Sequence, residues 1–261
     1  MVFHLSGSIK YYTFDNQFQN SIKHAIFTRL GGVSPAPWNS LNVGGYIGDD
    51  LDHTYINRVR SFKALNRDPK SIYDVWQVHS VDVICTDAPR PQQMTHKKAD
   101  AILTDNPEVT LFMRFADCVP ILFFDPVKKV VGLAHAGWRG TVNQIATAMV
   151  EKMVSVYGCC SEDIEAGIGP SIGPEHYEVG LEVVQQVREN FGPQAAFLMK
   201  SRNGSTYFDL WEANRYLLKK AGLMKIEISG LCTACHPQDW FSHRGEQGKT
   251  GRFGALIALN G

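Results

Sequence analysis

Residues 109–140 read VTLFMRFADCVPILFFDPVKKVVGLAHAGWRG, and this stretch decides the fold. It contains three short β-rich runs, Val109–Phe115, Ile121–Phe124 and Val130–His135, which predict strands because they are too short for buried helices. The runs Leu111–Phe112 and Ile121–Phe124 are apolar without alternation, which is typical of central strands covered on both faces. The stretch therefore predicts a sheet at the centre of the molecule.

Further strands and helices are predicted on both sides of this stretch. The helices are expected where apolar residues repeat at three- and four-residue intervals, namely at Asp52–Leu65, from Val142 to a C-cap at Gly158, at Leu181–Asn190, and from an N-cap at Asp209 to Gly222. The other strands are expected at His24–Thr28, Val75–His79, Val81–Cys85, Ala101–Leu103, Ile226–Ser229 and Ala255–Leu259. Leu30–Asp50, rich in Gly, Pro, Ser and Asn, is expected to be a long loop with short strands. The predicted fold is α+β (mixed α/β), with mixed β-sheets flanked by helices in one domain spanning residues 1–261.

The composition limits the classes of function. The 26 Lys and Arg residues balance 26 Asp and Glu residues, and 44% of the chain is hydrophobic. A disordered tail protein would be poorer in apolar residues, and a general nucleic-acid binder would carry a basic excess. Neither a signal peptide nor an apolar window of about 18 residues is recognisable, so we expect a cytoplasmic protein with no membrane partner and with reduced cysteines.

One cysteine and two histidines lie at the ends of three predicted strands. His79 ends one run, Cys118 lies between two apolar strands, and His135 ends another strand before the long helix. A thiolate and two imidazoles leave one position of a tetrahedral zinc ion open, which is typical of catalytic rather than structural sites. The pattern alone leaves an alternative open, in which Cys118 is a buried core cysteine and the histidines are satisfied polar groups.

Several motifs, in this order along nearly the whole chain, resemble the laccase-domain family. They are FTRLGGVS (27–34), SLNVG (40–44), WQVHS (76–80), RFADCVPILFFDP (114–126), GLAHAGWRGT (132–141), GIGPSIGPEHYEVG (167–180) and FSHRGEQGKTGR (241–252). The resemblance implies a fold similar to cysteine hydrolases and a zinc ion held by His79, Cys118 and His135. Ser80 replaces the family's usual Gly and Phe115 its frequent Thr, and neither change removes a ligand.

The resembled family was once labelled multicopper polyphenol oxidase and is better known for zinc-dependent activity on purine nucleosides. The resemblance implies phosphorolysis of adenosine, inosine, guanosine or methylthioadenosine to the free base and ribose 1-phosphate, and deamination of adenosine to inosine. One alternative is a cysteine hydrolase or amidase with Cys118 as nucleophile and His135 as base; another is a scaffold protein with a vestigial site. A copper-dependent phenol oxidase is the third, but nine histidines without a His-x-His pair do not build a trinuclear copper cluster, so copper would be adventitious.

Phosphate binding requires hydrogen-bond donors, and three arginines are candidates. Arg29 precedes the turn at Gly31-Gly32, and Arg139 opens the long helix, whose N-terminus also favours an anion. Arg58 lies on a predicted helix, where a solvated helix face is an equally good interpretation. We therefore expect Arg29 first, Arg139 second and Arg58 third as phosphate ligands.

Three further side chains are candidates for contact with the substrate or for chemistry. Asn42 is expected to bond ribose or base, or else to cap a loop. Gln77 lies two residues before a zinc ligand, and Asp117 adjoins another, so Asp117 either moves a proton or orders that ligand. Together with Cys118 and Arg29, Asp117 completes the predicted catalytic set.

The segment Cys232-Thr233-Ala234-Cys235-His236 fits the pattern of c-type haem attachment. Haem attachment belongs to exported proteins, and a zinc knuckle would need a second suitably spaced cysteine pair. We therefore expect five of the six cysteines, all except Cys118, to be packing residues. The oligomeric state stays open.

Overall fold

The structure, a computed structural model, describes residues 2–14, 18, 22–91 and 93–260. The helices are α1 Leu51–Ala64, α2 Trp138–Val142, α3 Ile145–Tyr157, α4 Leu181–Phe191, α5 Ala195–Leu198 and α6 Leu210–Lys220. The strands are β1 Val2–Ser6, β2 Ile9–Thr13, β3 Ile22–Phe27, β4 Ile72–Tyr73, β5 Val83–Cys85, β6 Ala101–Thr104, β7 Thr110–Phe115, β8 Val119–Asp125, β9 Val130–Ala136, β10 Glu165–Ile168, β11 Glu178–Val179, β12 Met199–Arg202, β13 Ser205–Phe208, β14 Lys225–Ile228 and β15 Phe253–Leu259.

Two six-stranded sheets form the centre of the molecule. The first has the strand order β1-β2-β3-β15-β7-β4 and the second the order β14-β10-β8-β9-β6-β5. Both are mostly antiparallel, but β4 runs parallel to β7, β5 to β6 and β14 to β10. A small antiparallel sheet, β11-β13-β12, lies beside them. The predicted mixed sheets flanked by helices are thus confirmed.

Strand β8 shows why the central stretch is apolar without alternation. Val119, Ile121 and Phe123 face a core shared with α3, α4 and α6, whereas Leu122 and Phe124 face a core shared with the first sheet. Burial of each such side chain contributes roughly 1.5–3 kcal/mol, so both faces of the strand stabilise the fold. Helix α1 covers the outer face of the first sheet, which gives four layers in the order helix, sheet, sheet, helices.

Most predicted elements are present, with shifts of a few residues at their ends. The Asp209 carboxylate caps α6 by accepting the N–H of Glu212, and Gly158 ends α3 in a left-handed conformation, as predicted. The predicted long helix after Gly140 is instead two helices, α2 and α3. Gln144 separates them because its φ of 68° is incompatible with a continuous helix.

Two strand predictions are wrong. Residues 75–79 form only a bridge at Trp76, because His79 has a φ of 61° and the N–H groups on either side of it bind the Asp100 carboxylate. Residues 30–50, all of them described, contain no strand. Side chains hold this loop instead: Asn42 and Asn57 hydrogen bond to its backbone.

None of the helices formed by the described residues combines the length and the apolar character that a bilayer crossing requires.

Candidate functional site

His79, Cys118 and His135 meet at one point, although they are far apart in sequence. Their ligand atoms all lie within 4.8 Å of one another, and the Cys118 Sγ is 3.8 Å from the His79 Nε2. Cys118 lies in the turn just before β8, and His135 lies near the end of β9. These two strands pair in antiparallel register, which brings the start of one beside the end of the other. Only His79 comes from an irregular segment rather than from the strand end that the sequence predicted.

Asp100 positions both histidines. Its Oδ1 lies 2.8 Å from the His135 Nδ1, and its Oδ2 accepts the N–H groups of Val78 and Ser80 at 3.0 and 2.6 Å. Burial by itself raises the pKa of Asp100, but the hydrogen bond and charge of His135 and the two N–H groups lower it overall. A carboxylate that fixes the Nδ1 of a histidine directs its Nε2 toward the centre of the cluster, as in many zinc sites.

The backbone around the cluster is specialised for close approach. A Cβ on Gly137 would lie 2.9 Å from the His79 Cδ2 and 3.0 Å from the Cys118 Sγ, so a larger residue does not fit there without a shift. His79 and Asp117 both adopt positive φ values, 61° and 82°, which turn their neighbours toward the same point. Phe115 packs against the His135 ring with a centroid distance of 5.5 Å.

Electrostatics favour a thiolate at Cys118. Burial opposes ionisation, but the charge of His135 and hydrogen bonds from both histidines outweigh it and lower the pKa of the thiol. The pKa of His135 is raised in turn, because the Cys118 thiolate and Asp100 outweigh the effect of burial. Thiolate and imidazole are the ligand types that zinc prefers, and a cation competes with the proton for the same ring nitrogen. The three side chains thus fit a zinc ion.

A cavity of about 560 Å³ opens above the cluster. The three ligand residues lie at its base, and Asp117, Gln77 and Ile172 also line it. Two aromatic side chains, Tyr46 and Trp76, form one wall with their rings edge to face at 4.9 Å. A volume of this size is typical of sites for small ligands.

The cations of the cavity are not the arginines that sequence reasoning selected. Arg114, Arg244 and Arg252 line it, together with Tyr177 and His243. Burial lowers the pKa of Arg252, and the nearby negative charges of Cys118 and Asp117 oppose that effect. These arginines lie within the motifs 114–126 and 241–252, so the sequence contained a signal for them. The motifs do not show, however, which of their residues lie near the cluster in the folded protein.

Arg29 does not line the cavity. Its Nε donates to the Asn39 carbonyl and its Nη1 to the Pro237 carbonyl, and Nη1 also forms a 3.0 Å ion pair with Glu246. The guanidinium lies over the Phe241 ring at 4.5 Å. Arg29 thus holds the segment 237–246 in place, which fixes the loop that carries Arg244.

Asn42 is also absent from the cavity lining. Its Nδ2 donates to Asp49 and to the Gly44 carbonyl, and its Oδ1 accepts the N–H groups of Gly44 and Arg252. Because all of its hydrogen-bonding groups are engaged within a fully buried site, Asn42 caps the loop, as the alternative interpretation of the sequence had it.

Of the other predicted site residues, two line the cavity and two do not. Arg58 donates to the Val43 carbonyl, and Arg139 is a half-exposed side chain 3.5 Å from Glu182; neither lines the cavity. Gln77 does line it and bridges to Arg114, accepting its backbone N–H and donating to its carbonyl. Asp117 lies beside the cluster, where its two oxygens accept the Thr233 hydroxyl and the Arg244 N–H, each at 2.6 Å.

The fold and this site define a mixed α/β protein with a Cys/His₂ group, able to hold a metal, at the base of an arginine-lined cleft. The chain belongs to the family described as multi-copper polyphenol oxidoreductase laccase, whose family model matches residues 23–260.

Named relatives share most of the chain. It is 38% identical over 254 residues to the purine nucleoside phosphorylase YlmD of Bacillus subtilis, covering 94% of this chain and 91% of that protein. It is 36% identical over 238 residues to the purine nucleoside phosphorylase YfiH of Escherichia coli K12, covering 89% and 91%. The crystal structure of YlmD from Geobacillus stearothermophilus superposes with a TM-score of 0.92 at 33% identity, covering 100% of this chain and 99% of that one.

Proposed function

We propose that this protein is a zinc-dependent purine nucleoside phosphorylase that also deaminates adenosine. The observation that carries the proposal is the placement of His79, Cys118 and His135 within 4.8 Å of one another at the base of a cleft lined by arginines. Relatives that share most of the chain bear the name purine nucleoside phosphorylase, which supports the substrate class.

The arginines supply the phosphate-binding face of the cleft. Within the described part of the chain, the guanidinium of Arg252 donates hydrogen bonds only through its Nη1, to the carbonyls of Thr250 and Gly251. Its Nε and Nη2 are therefore available to an oxyanion, and a guanidinium offers them as a fork that matches phosphate. Arg244 reaches the same cleft from the neighbouring loop.

The aromatic side chains supply a face for the purine. Trp76 is about 40% exposed and Tyr46 about 73%, which leaves ring surface for stacking of a flat heterocycle. Burial, with the nearby Cys118 thiolate, raises the pKa of Tyr177 above its ordinary value, so the phenol stays protonated. A neutral phenol donates a hydrogen bond to a base or sugar oxygen.

A zinc ion held by His79, Cys118 and His135 would act as a Lewis acid that orients and activates an oxygen of phosphate or water. In phosphorolysis a phosphate oxygen bonds to C1′ of the nucleoside, and the purine leaves with the electrons of the N9–C1′ bond. In deamination water attacks C6 of adenosine and ammonia leaves. Asp117 keeps the Cys118 turn and the Arg244 loop together, because one oxygen binds Thr233 and the other the N–H of Arg244. Proton transfer by Asp117 stays a prediction.

The test is a product assay on the zinc-loaded full chain. Adenosine, inosine, guanosine and methylthioadenosine are incubated with and without phosphate, and the products are separated. We expect phosphate-dependent release of free base with ribose 1-phosphate, and phosphate-independent formation of inosine from adenosine. Cys118→Ala should abolish both activities, whereas Cys160→Ala, at an exposed cysteine outside the cleft, should retain them.

The same assay separates this proposal from a cysteine hydrolase. The low pKa of Cys118 beside His135 is also what a thiol nucleophile needs. A hydrolase would keep its activity after chelation of the metal and lose it on thiol alkylation. A chelated protein that still releases base would therefore overturn the zinc-dependent mechanism.

A further inference from the structure

A second group of metal-binding side chains lies outside the cleft. His176, Cys232 and Cys235 also have their ligand atoms within 4.8 Å of one another. The two cysteines belong to the Cys-x-x-Cys segment, and the fold adds the histidine from the loop that follows β10. Because the sequence contains no second, suitably spaced cysteine pair, these cysteines were predicted to be packing residues. Cys235 and Cys160 are exposed, so that prediction is wrong for both.

The distances suit a tetrahedral ion. The His176 Nδ1 is 3.4 Å from the Cys235 Sγ and 3.8 Å from the Cys232 Sγ. Bonds of about 2.3 Å to sulfur and about 2.0 Å to nitrogen at a tetrahedral angle place the two ligand atoms roughly 3.5 Å apart. One imidazole nitrogen thus faces two sulfurs at distances that also fit coordination of one shared cation.

The surrounding backbone holds the Cys232 side chain in place. The N–H of Gly173 donates to its Sγ at 3.2 Å, and a Cβ at Gly173 would lie 3.1 Å from the Cys232 Cβ and 3.3 Å from its sulfur. The His236 Nδ1 donates to the Cys232 carbonyl at 2.9 Å, which orients the start of the Cys-x-x-Cys turn.

The cluster is exposed on one side, because His176 and Cys235 are both exposed. Solvent therefore reaches the centre of the three ligands, which gives a cation an entry path and access to a fourth ligand. The histidine and thiol donors favour a borderline or soft cation over Mg²⁺ or Ca²⁺.

We propose that His176, Cys232 and Cys235 form a second metal site, which takes a thiophilic divalent cation such as Zn²⁺. This second site has a structural role: it supports the wall of the cleft. Thr233, between the two cysteines, donates to Asp117, and Tyr177, next to His176, lines the cavity. A bound cation thus fixes two segments of the cleft wall without contacting the substrate.

The experiment counts zinc on the full chain after saturation with Zn²⁺ and removal of loosely bound ion. We expect about two zinc ions per wild-type chain, one in Cys235→Ser, one in Cys118→Ser and none in the double variant. Cys160→Ser, at an exposed cysteine outside both clusters, is the matched control and should keep two. Cobalt substitution in the Cys118→Ser variant should give the strong charge-transfer absorption of a site with two thiolates, and Cys235→Ser should lose that contribution.

His176→Asn provides a second variant in case Cys235→Ser does not fold, which circular dichroism reports. One zinc in the wild type, with the count unchanged by both variants, would overturn the proposal. So would a Cys232–Cys235 disulfide, which would leave four rather than six free thiols in the denatured, unreduced wild type and five in Cys235→Ser. Because the readout is metal content, it is independent of the nucleoside assay, and either proposal can fail alone.

Discussion

At the scale of single residues, Asp100 has more influence on the cluster than its position outside the ligand set indicates. Its two oxygens serve different partners, His135 on one side and the N–H groups flanking His79 on the other. In Asp100→Asn one oxygen becomes an NH₂ group, which cannot accept a hydrogen bond. One of the two sets of hydrogen bonds, to His135 or to the N–H groups flanking His79, is therefore lost. We expect a metal affinity about 10–100-fold weaker, measured by competition with a chelator of known affinity.

The control for this substitution is Asp105→Asn, which removes a charge at an exposed position nearby in sequence. It should leave the metal affinity unchanged. Equal losses in both variants would mean that net charge, and not the orientation of the histidines, sets the affinity.

Gly137 gives a second prediction at this scale, because it limits the space around the ligands. In Gly137→Ala the new methyl group meets His79 and Cys118 at about 3 Å, the distances of a steric clash. We expect loss of most of the metal bound in the cleft, measured as metal per chain. Gly180→Ala adds the same methyl group where nothing lies within 4 Å and should keep the metal. A Gly137→Ala protein with full metal content would show that the ligands do not need this close approach.

The residues that sequence reasoning found and missed differ in a physical way. The clustering of His79, Cys118 and His135 was predictable because metal-ligand chemistry restricts the residue type and each lies in a distinctive motif. The arginines that line the cleft were not predictable, because every arginine offers the same chemistry, and only the fold decides which one reaches the cleft. Arg252 does, whereas Arg29 is consumed by Glu246 and by backbone carbonyls.

At the scale of elements, buried strands were the most predictable feature. Strand β8 buries both faces, so an apolar run was sufficient to predict it. The segment 75–79 also carries apolar residues, but the backbone N–H groups of Val78 and of the adjacent Ser80 bind the carboxylate of Asp100, which lies about twenty positions further along the chain. Local pattern does not record such a partner, and the strand prediction failed there for that reason.

Asp74 directly follows the short strand β4, and its carboxylate makes a testable contribution to stability. The carboxylate is 1% exposed, and it binds Arg90 at 2.7 Å and His96 at 2.9 Å. Burial by itself raises the pKa of Asp74, but the hydrogen bond and charge of His96 and the charges of Arg114 and Arg90 hold it well below its usual value. We expect Asp74→Asn to lower the free energy of unfolding at pH 7 by about 3 kcal/mol, because it leaves buried cations unpaired.

The pH dependence of that loss follows from the direction of the shift. A carboxyl with a depressed pKa stabilises the fold fully above its unfolded pKa, and the contribution is lost as the pH falls toward the folded pKa. The difference between wild type and Asp74→Asn, measured by urea unfolding, should stay constant from pH 7 to about 5 and shrink below about 4. Asp87→Asn, at an exposed position, should show no such difference. A gap that closes already near pH 6 would show that the Asp74 carboxylate does not carry the effect.

At the scale of the whole molecule, the cleft is assembled from segments distant in the chain. Its lining residues come from 44–47, 76–79, 114–118, 172–177 and 243–252, together with His135. No sequence pattern gives the strand order that joins them, because β15, at the end of the chain, pairs with both β3 and β7. The fold class and the Cys/His cluster were therefore predictable, and the cleft itself was not.

A cleft built in this way exists only in the folded protein, so a ligand that binds it must stabilise the whole fold. At about 100 times its Kd, phosphate should add ~2.7 kcal/mol and raise the midpoint of thermal unfolding by several degrees, in a saturable manner. Arg252→Ala should lose most of this increase, measured against its own phosphate-free midpoint. Arg215→Ala, on α6 and outside the cleft, should keep it and reports the general effect of the salt. An equal increase in both variants would place phosphate elsewhere than at Arg252 and remove the main support for the phosphate-binding face.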